Sequence, residues 1–209
     1  MTKPQLINHV RGTVKSVGER WPACAAEGFP RHIPAQLPGA LRDLLTPVLE
    51  LIAQLTHTIR AYDGVVAQVA TASRAVTDVL RQVRGVGALT AIAYHATLED
   101  PQRFRHSRQV GAYLGLCPKQ NQSGERDPEL RITKAGDELL RRLLVSSAHY
   151  ILGPFGPDTA LRRWGLRLAQ GGKRAKRRAV VAVARKLAVL LHRLWVTGAR
   201  YEPLRGVTA

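Results

Sequence analysis

Nine apolar residues constrain this chain more than anything else in it. Leu41, Leu45, Val48, Ile52, Leu55, Ile59, Tyr62, Val66 and Val69 follow one another at alternating steps of four and three. That is an unbroken heptad seam, and a long helix is what keeps such a set on one stripe. From Ile52 onward one half of the seam is β-branched (Ile52, Ile59, Val66), a choice that favours a two-stranded coil. Leu44, Leu51 and Val65 widen the stripe. Two readings stay open: a coiled coil that joins protomers through residues 41–69, or a helix that packs within its own domain. Pro47 either kinks the helix or begins it with Thr46 as N-cap, and Gly64 weakens it further.

The rest of the chain arranges itself around that helix. Residues 1–40 are a lead-in: "PQLINHVRGTVKSVG" suits a short helix, and four prolines at 22, 30, 34 and 38 mark an irregular connector. Residues 41–83 form the coiled-coil stretch, and residues 84–209 a helical domain. Within the latter, Asp137 to Leu152 has the helical stripe Leu139, Leu140, Leu143, Leu144, Ala148. "GPFGPD" is a sharp turn, and "AVVAVARKLAVLLHRLWVTG" is a closing amphipathic helix with Gly198 as C-cap. No strand pattern persists, so the expected fold is all-α: a long coiled-coil helix followed by a compact helical domain.

Composition narrows the function. The chain has 209 residues and a net charge of +17, with a pI near 11.1. The excess is local: residues 160–209 hold thirteen Lys/Arg against one acid, whereas 84–159 hold ten against eight. Such a balance points to a polyanionic partner. Aromatics make up only 5% of the chain, which argues against a single-strand binder built on base stacking. Two cysteines without a CxxC pair, Cys24 and Cys117, fit reduced thiols in a cytosolic protein. The seven histidines have no zinc-ligand spacing. No apolar run approaches the ~20 residues of a membrane span, and the N-terminus lacks the apolar core of a secretory signal.

Three places are candidates for chemistry. Gly85-Val86-Gly87 sits between two helical patterns, a turn of helix-hairpin-helix kind in which glycines let backbone N–H groups approach a DNA phosphate; glycine is equally at home in an ordinary helix–helix turn. Lys173, Arg174, Lys176, Arg177 and Arg178 crowd the N-terminal end of the closing helix, where the macrodipole disfavours cations. A bound phosphate would remove that conflict, and Gly171 and Gly172 would keep its approach open; the alternative is a cluster solvated in salt. Finally, the polar stretch "CPKQNQSGERDPELRITKAG" places Ser123 beside Gly124, with Arg126, Arg131 and Lys134 close in sequence. A serine needs exposure, a proton acceptor and cations to attack a phosphodiester. The cations are present, no base stands out between Glu125 and Asp127, and a turn serine is the ordinary alternative.

Taken together these motifs resemble a known family. GVG followed by Thr90-Ala91, Phe104, the "YLGL-P" run, the Ser123-Gly124 pair, "ITKAG", Arg141-Arg142 before a Leu pair and "RAVVAVARKLAVLLHRLW" are similar to the bridge-RNA-guided serine transposases of the IS one-hundred-ten type. "QLINHVRGTVKSVG" and the heptad helix extend the likeness along nearly the whole chain. The resemblance implies a DNA recombinase with Ser123 as nucleophile. Its DNA contacts would come from Gly85, Gly87, Gly124, Arg126, Arg131, Lys134 and the cations at 173–178. It further implies a structured noncoding RNA as partner, homo-oligomers through 41–69, and work in the bacterial cytoplasm at the nucleoid. Members normally begin with a RuvC-like domain whose four acids hold Mg2+. Here the first forty residues carry only Glu19 and Glu27, while Asp43, Glu50, Asp63 and Asp78 spread along the long helix. No cofactor is therefore expected within this chain, and the expectation is a C-terminal portion, incompetent alone. The competing readings are a noncatalytic module for DNA binding and oligomerisation, and a basic RNA-binding protein.

Overall fold

The structure, a computed structural model, describes residues 2–32, 37–120 and 130–204. Among them it is all-α: α1 (Lys3–Ser16), α2 (Gly39–Ala72), α3 (Arg74–Arg81), α4 (Ala88–Leu98), α5 (Arg108–Tyr113), α6 (Glu138–Leu152), α7 (Ala160–Leu168) and α8 (Lys173–Thr197). The one β-type pairing among the described residues is an isolated bridge between Pro118 and Ile132. No helix among the described residues is long and apolar enough to cross a membrane. The chain divides into two units, Met1–Val65 and Val66–Ala209.

In the first unit, α1 opens on a capping box in which Thr2 and Gln5 satisfy each other's end of the first turn. Its buried residues Leu6, Ile7, Val10 and Val14 share a core with Leu45, Leu49 and Ile52 of α2. The heptad seam therefore has two fates. From Leu41 to Leu55 it packs within its own unit, whereas Ile59, Tyr62 and Val69 are exposed, Val66 is half-buried and the flanking Val65 is exposed. The proline-rich connector is not merely a spacer: Trp21 stacks on Phe29 at 4.5 Å and both are buried in the same core. Pro47 lies inside α2 without ending it. Thr46 is no N-cap, since its hydroxyl donates to the Arg42 carbonyl one turn back.

The second unit is built round α8, whose Val183, Ala184, Leu187, Ala188 and Leu191 are wholly buried against α6, α7, α5 and α3. Gly165 of α7 lets that helix lie close, since a Cβ there would come within 2.5 Å of Val183. The Tyr94 hydroxyl donates to the Ala188 carbonyl at 2.7 Å. His192 meets the Pro101 carbonyl through Nε2 at 2.9 Å and the Ser107 hydroxyl through Nδ1 at 3.0 Å. A carbonyl only accepts, so Nε2 carries a proton and donates to Pro101. On α6 the buried stripe is Leu140, Leu144, Ala148 and Ile151, and Leu139 points to solvent. α8 ends as expected at Gly198, in the left-handed region at φ 61°.

Candidate nucleic-acid interface

The basic cluster opens α8. Gly171 and Gly172 take φ +105° and +98°, conformations that L side chains rarely adopt, and Gly172 is the N-cap. A side chain at Gly172 would point into open space. The first helical bond runs from Lys176 N–H to the Gly172 carbonyl at 3.1 Å, so the N–H groups of Lys173, Arg174 and Ala175 lie ahead of it. Among the described residues no side chain caps them, and no acid stands in the first turn. Lys173, Arg174, Lys176, Arg177 and Arg178 are all exposed. Cations and helix dipole thus add at one end, the arrangement an anion relieves.

The glycine turn lies between α3 and α4, and its two glycines differ in role. Gly85 has φ +99°, and a Cβ there would stand 2.9 Å from Tyr150 Cδ1, so its backbone and its packing both call for glycine. Gly87, the N-cap of α4, faces open space. Beside the turn is an open cleft of about 420 Å³, walled by Arg84, Gly87 and Thr90 on one side and Ser146, Ser147 and Tyr150 of α6 on the other. Among the described residues no carboxylate lines it.

The polar stretch after α5 is held at its two ends. Ser123, Gly124 and Arg126 lie outside the described residues. On either side of them, Lys119 N–H donates to the Arg131 carbonyl at 2.9 Å, Thr133 N–H to Cys117 at 2.9 Å and Lys134 N–H to Gly115 at 3.1 Å. Arg131 and Lys134 are exposed there, and Lys134 takes φ +59°. Gly115 and Gly136, both at positive φ, bring the backbones so close that added Cβ atoms would sit 2.3 Å from Ala135 and 2.1 Å from the Tyr113 carbonyl. Below them the buried Arg141 donates to the carbonyls of Ala135 at 2.8 Å and Leu114 at 3.3 Å. Arg141 was visible in sequence only as one of a pair of arginines; its place on the stripe of Leu140, Leu144 and Ala148 was the signal that it points inward.

Among the described residues no three His, Cys, Asp or Glu side chains gather to hold a metal ion.

Comparisons with known proteins place the chain beside transposases. Residues 77–162 match the Transposase IS116/IS110/IS902 family, a span that contains the glycine turn, the held loop and α6. The chain is 31% identical over 212 residues to the transposase for insertion sequence element IS1111A of Coxiella burnetii, covering 98% of this chain and 56% of that protein. It is 32% identical to the "Probable family 20 transposase" of Pseudomonas aeruginosa, covering 83% of this chain and 50% of that one. The chain thus spans about half the length of these curated relatives. Residues 77–162 thus carry the domain of the IS116/IS110/IS902 family of transposases.

Proposed function

We propose that this chain is the DNA-binding and strand-exchanging part of a transposase, working in the cytoplasm at the nucleoid. The observation that carries the reading is the start of α8: five exposed cations around an uncapped, glycine-opened helix N-terminus. Phosphate is the anion such an end favours. Duplex DNA supplies it at high density, and the relatives' names, transposases, give the context.

The chemical step is assigned to Ser123 on the strength of the family resemblance. Its Oγ forms a bond to a backbone phosphorus, the P–O bond to one strand's deoxyribose breaks, and the released hydroxyl takes up a proton. The reverse attack by a strand hydroxyl rejoins DNA and frees the serine. Arg131 and Lys134, exposed at the base of the loop, would steady the charge on the phosphoryl oxygens. Arg126 and Gly124 belong to the same proposal. A structured RNA would choose the DNA by base pairing. The exposed Ile59, Tyr62 and Val69, with the half-buried Val66, would join protomers as the outer half of the coiled coil.

The test is a trapped protein–DNA adduct on a nicked or synaptic duplex, with a RuvC-like domain supplied. The expected result is an adduct in the unaltered protein and none in Ser123→Ala. Equal recombination without that hydroxyl contradicts the nucleophile assignment and leaves a noncatalytic module for DNA binding and oligomerisation. Comparison of duplex DNA with structured RNA at one salt concentration separates both from a protein that binds RNA alone.

A further inference from the structure

The turn between α6 and α7 holds one aromatic ring out to solvent. Phe155 is 85% exposed, more than any other large hydrophobic side chain among the described residues. A single exposed apolar residue is common on a protein surface, but the loop beneath this one is unusually well fixed. Pro154 and Pro157 lock their own φ on either side of the ring. Arg162, half-buried on the first turn of α7, donates through Nη1 to the carbonyls of Ile151 and Gly153. Gly156 N–H donates to the Gly153 carbonyl at 3.2 Å, and a Cβ on Gly156 would run into the Ile151 carbonyl. Thr159 caps α7, its hydroxyl accepting from Arg162 N–H at 3.0 Å. Arg163 donates twice to the Asp158 carboxylate, from Nε at 2.8 Å and from Nη2. The ring thus stands on a backbone that is already ordered, so engaging it costs little further entropy.

Charge says what kind of partner meets it. Between Ile151 and Gly172 the chain has three arginines against one acid. Arg163 and Arg167 are exposed one turn apart on α7, and α7 leads to Gly171, Gly172 and the cations of α8. With nine residues, α7 puts about 13 Å of helix between the loop and that basic end. An apolar ring at the end of a cationic run suits a polyanion that also carries apolar planes, as stacked bases do. A protein partner fits less well. One phenylalanine offers about 150–250 Å², against roughly 800 Å² per partner in a stable interface. The exposed leucines of α7, Leu166 and Leu168, lie toward its far end. A lone ring also suits a wedge into a duplex better than a platform for a single strand, which stacks successive bases on several rings.

We propose that Phe155 is an intercalating wedge. Its ring enters between adjacent base pairs of a DNA duplex whose backbone is held by Arg163, Arg167 and the start of α8. This rests on the DNA-binding reading above and adds to it a residue that touches bases rather than phosphates. Insertion unstacks one step and kinks the duplex there.

The test uses the full chain, Phe155→Ala and Phe155→Leu, on one duplex sequence either fully paired or with a central mismatch beside a 2-aminopurine. A mismatch lowers the cost of unstacking and so fixes where a wedge enters. The unaltered chain should bind the mismatched duplex more tightly than the paired one and brighten the 2-aminopurine. Phe155→Ala should lose the preference and the brightening, and bind the mismatched duplex about 5–100-fold more weakly. Its salt slope should be unchanged, since the ring carries no charge. Phe155→Leu, still an apolar wedge, should recover part of both signals. Tm should be the same in all three proteins, because the ring is exposed. Salt-dependent binding that is equal in Phe155→Ala overturns the proposal and leaves the DNA reading standing. No duplex binding by the unaltered chain contradicts the DNA reading, and the wedge with it. A lower mass by light scattering for Phe155→Ala, with duplex binding intact, assigns the ring to a second copy of the chain and overturns the proposal as well.

Discussion

Gly115 and Gly136 show how single residues shape the ends of the loop that carries Ser123. Each sits at positive φ with opposing backbone atoms where a Cβ would go. Gly115→Ala or Gly136→Ala should therefore cost at least about 2 kcal/mol, from backbone strain and overpacking together, measured by urea denaturation. Tyr94 makes a second prediction. Burial raises its pKa well above the usual tyrosine value while its hydroxyl donates to Ala188. The neutral form is thus favoured in the folded state. Its contribution is fully present below the unfolded pKa of about 10 and is lost as pH rises above it. Tyr94→Phe should lower stability near pH 7 by about 0.5–1.5 kcal/mol, and the deficit should narrow in denaturation series carried above pH 10. What sequence could say at this scale was uneven. The two glycines next to Lys173 and the pair in the α3–α4 turn stood out because turns punctuate periodic patterns. Ser147 did not, because it looks like an ordinary helical residue until another helix is laid against it, and Arg141 and Thr90 were visible as motif residues while the partners that bury them were not.

At the scale of elements the instructive case is α2. Periodicity of the seam implied a long helix, and the helix is there. What covers the seam was not legible, since intramolecular and intermolecular packing ask for the same residues. The lead-in decides it for the first half: α1 presents Leu6, Val10 and Val14 to the same core as Leu45 and Ile52. Nothing in the connector's periodicity announced that Trp21 and Phe29 would join them, because their partners come from tertiary contact, not from a repeat. The halves should respond differently to mutation. Ile52→Ala, at a fully buried site, should cost about 2–5 kcal/mol in thermal or denaturant unfolding. Ile59→Ser with Tyr62→Ser, at exposed sites, should leave unfolding nearly unchanged and lower the mass seen by light scattering if this face joins protomers. An unchanged mass together with a large loss of stability would place those side chains inside the protomer instead.

Over the whole molecule, charge and fold are separate statements. The apolar pattern builds an all-α protein. The excess of Lys/Arg over acids, concentrated after residue 160, says what approaches it. The structure gathers five of those cations on the first turns of one helix. The most direct measurement is duplex affinity as a function of salt, for the unaltered chain and for a variant with Lys173, Arg174, Lys176 and Arg177 all changed to Gln. With six to ten phosphate contacts, affinity should fall about 10³–10⁵-fold between roughly 50 and 200 mM salt. The variant's log–log slope should be shallower by about 0.9 for each phosphate contact removed. A nearly flat response in the unaltered chain, or the same slope in both proteins, would contradict the account.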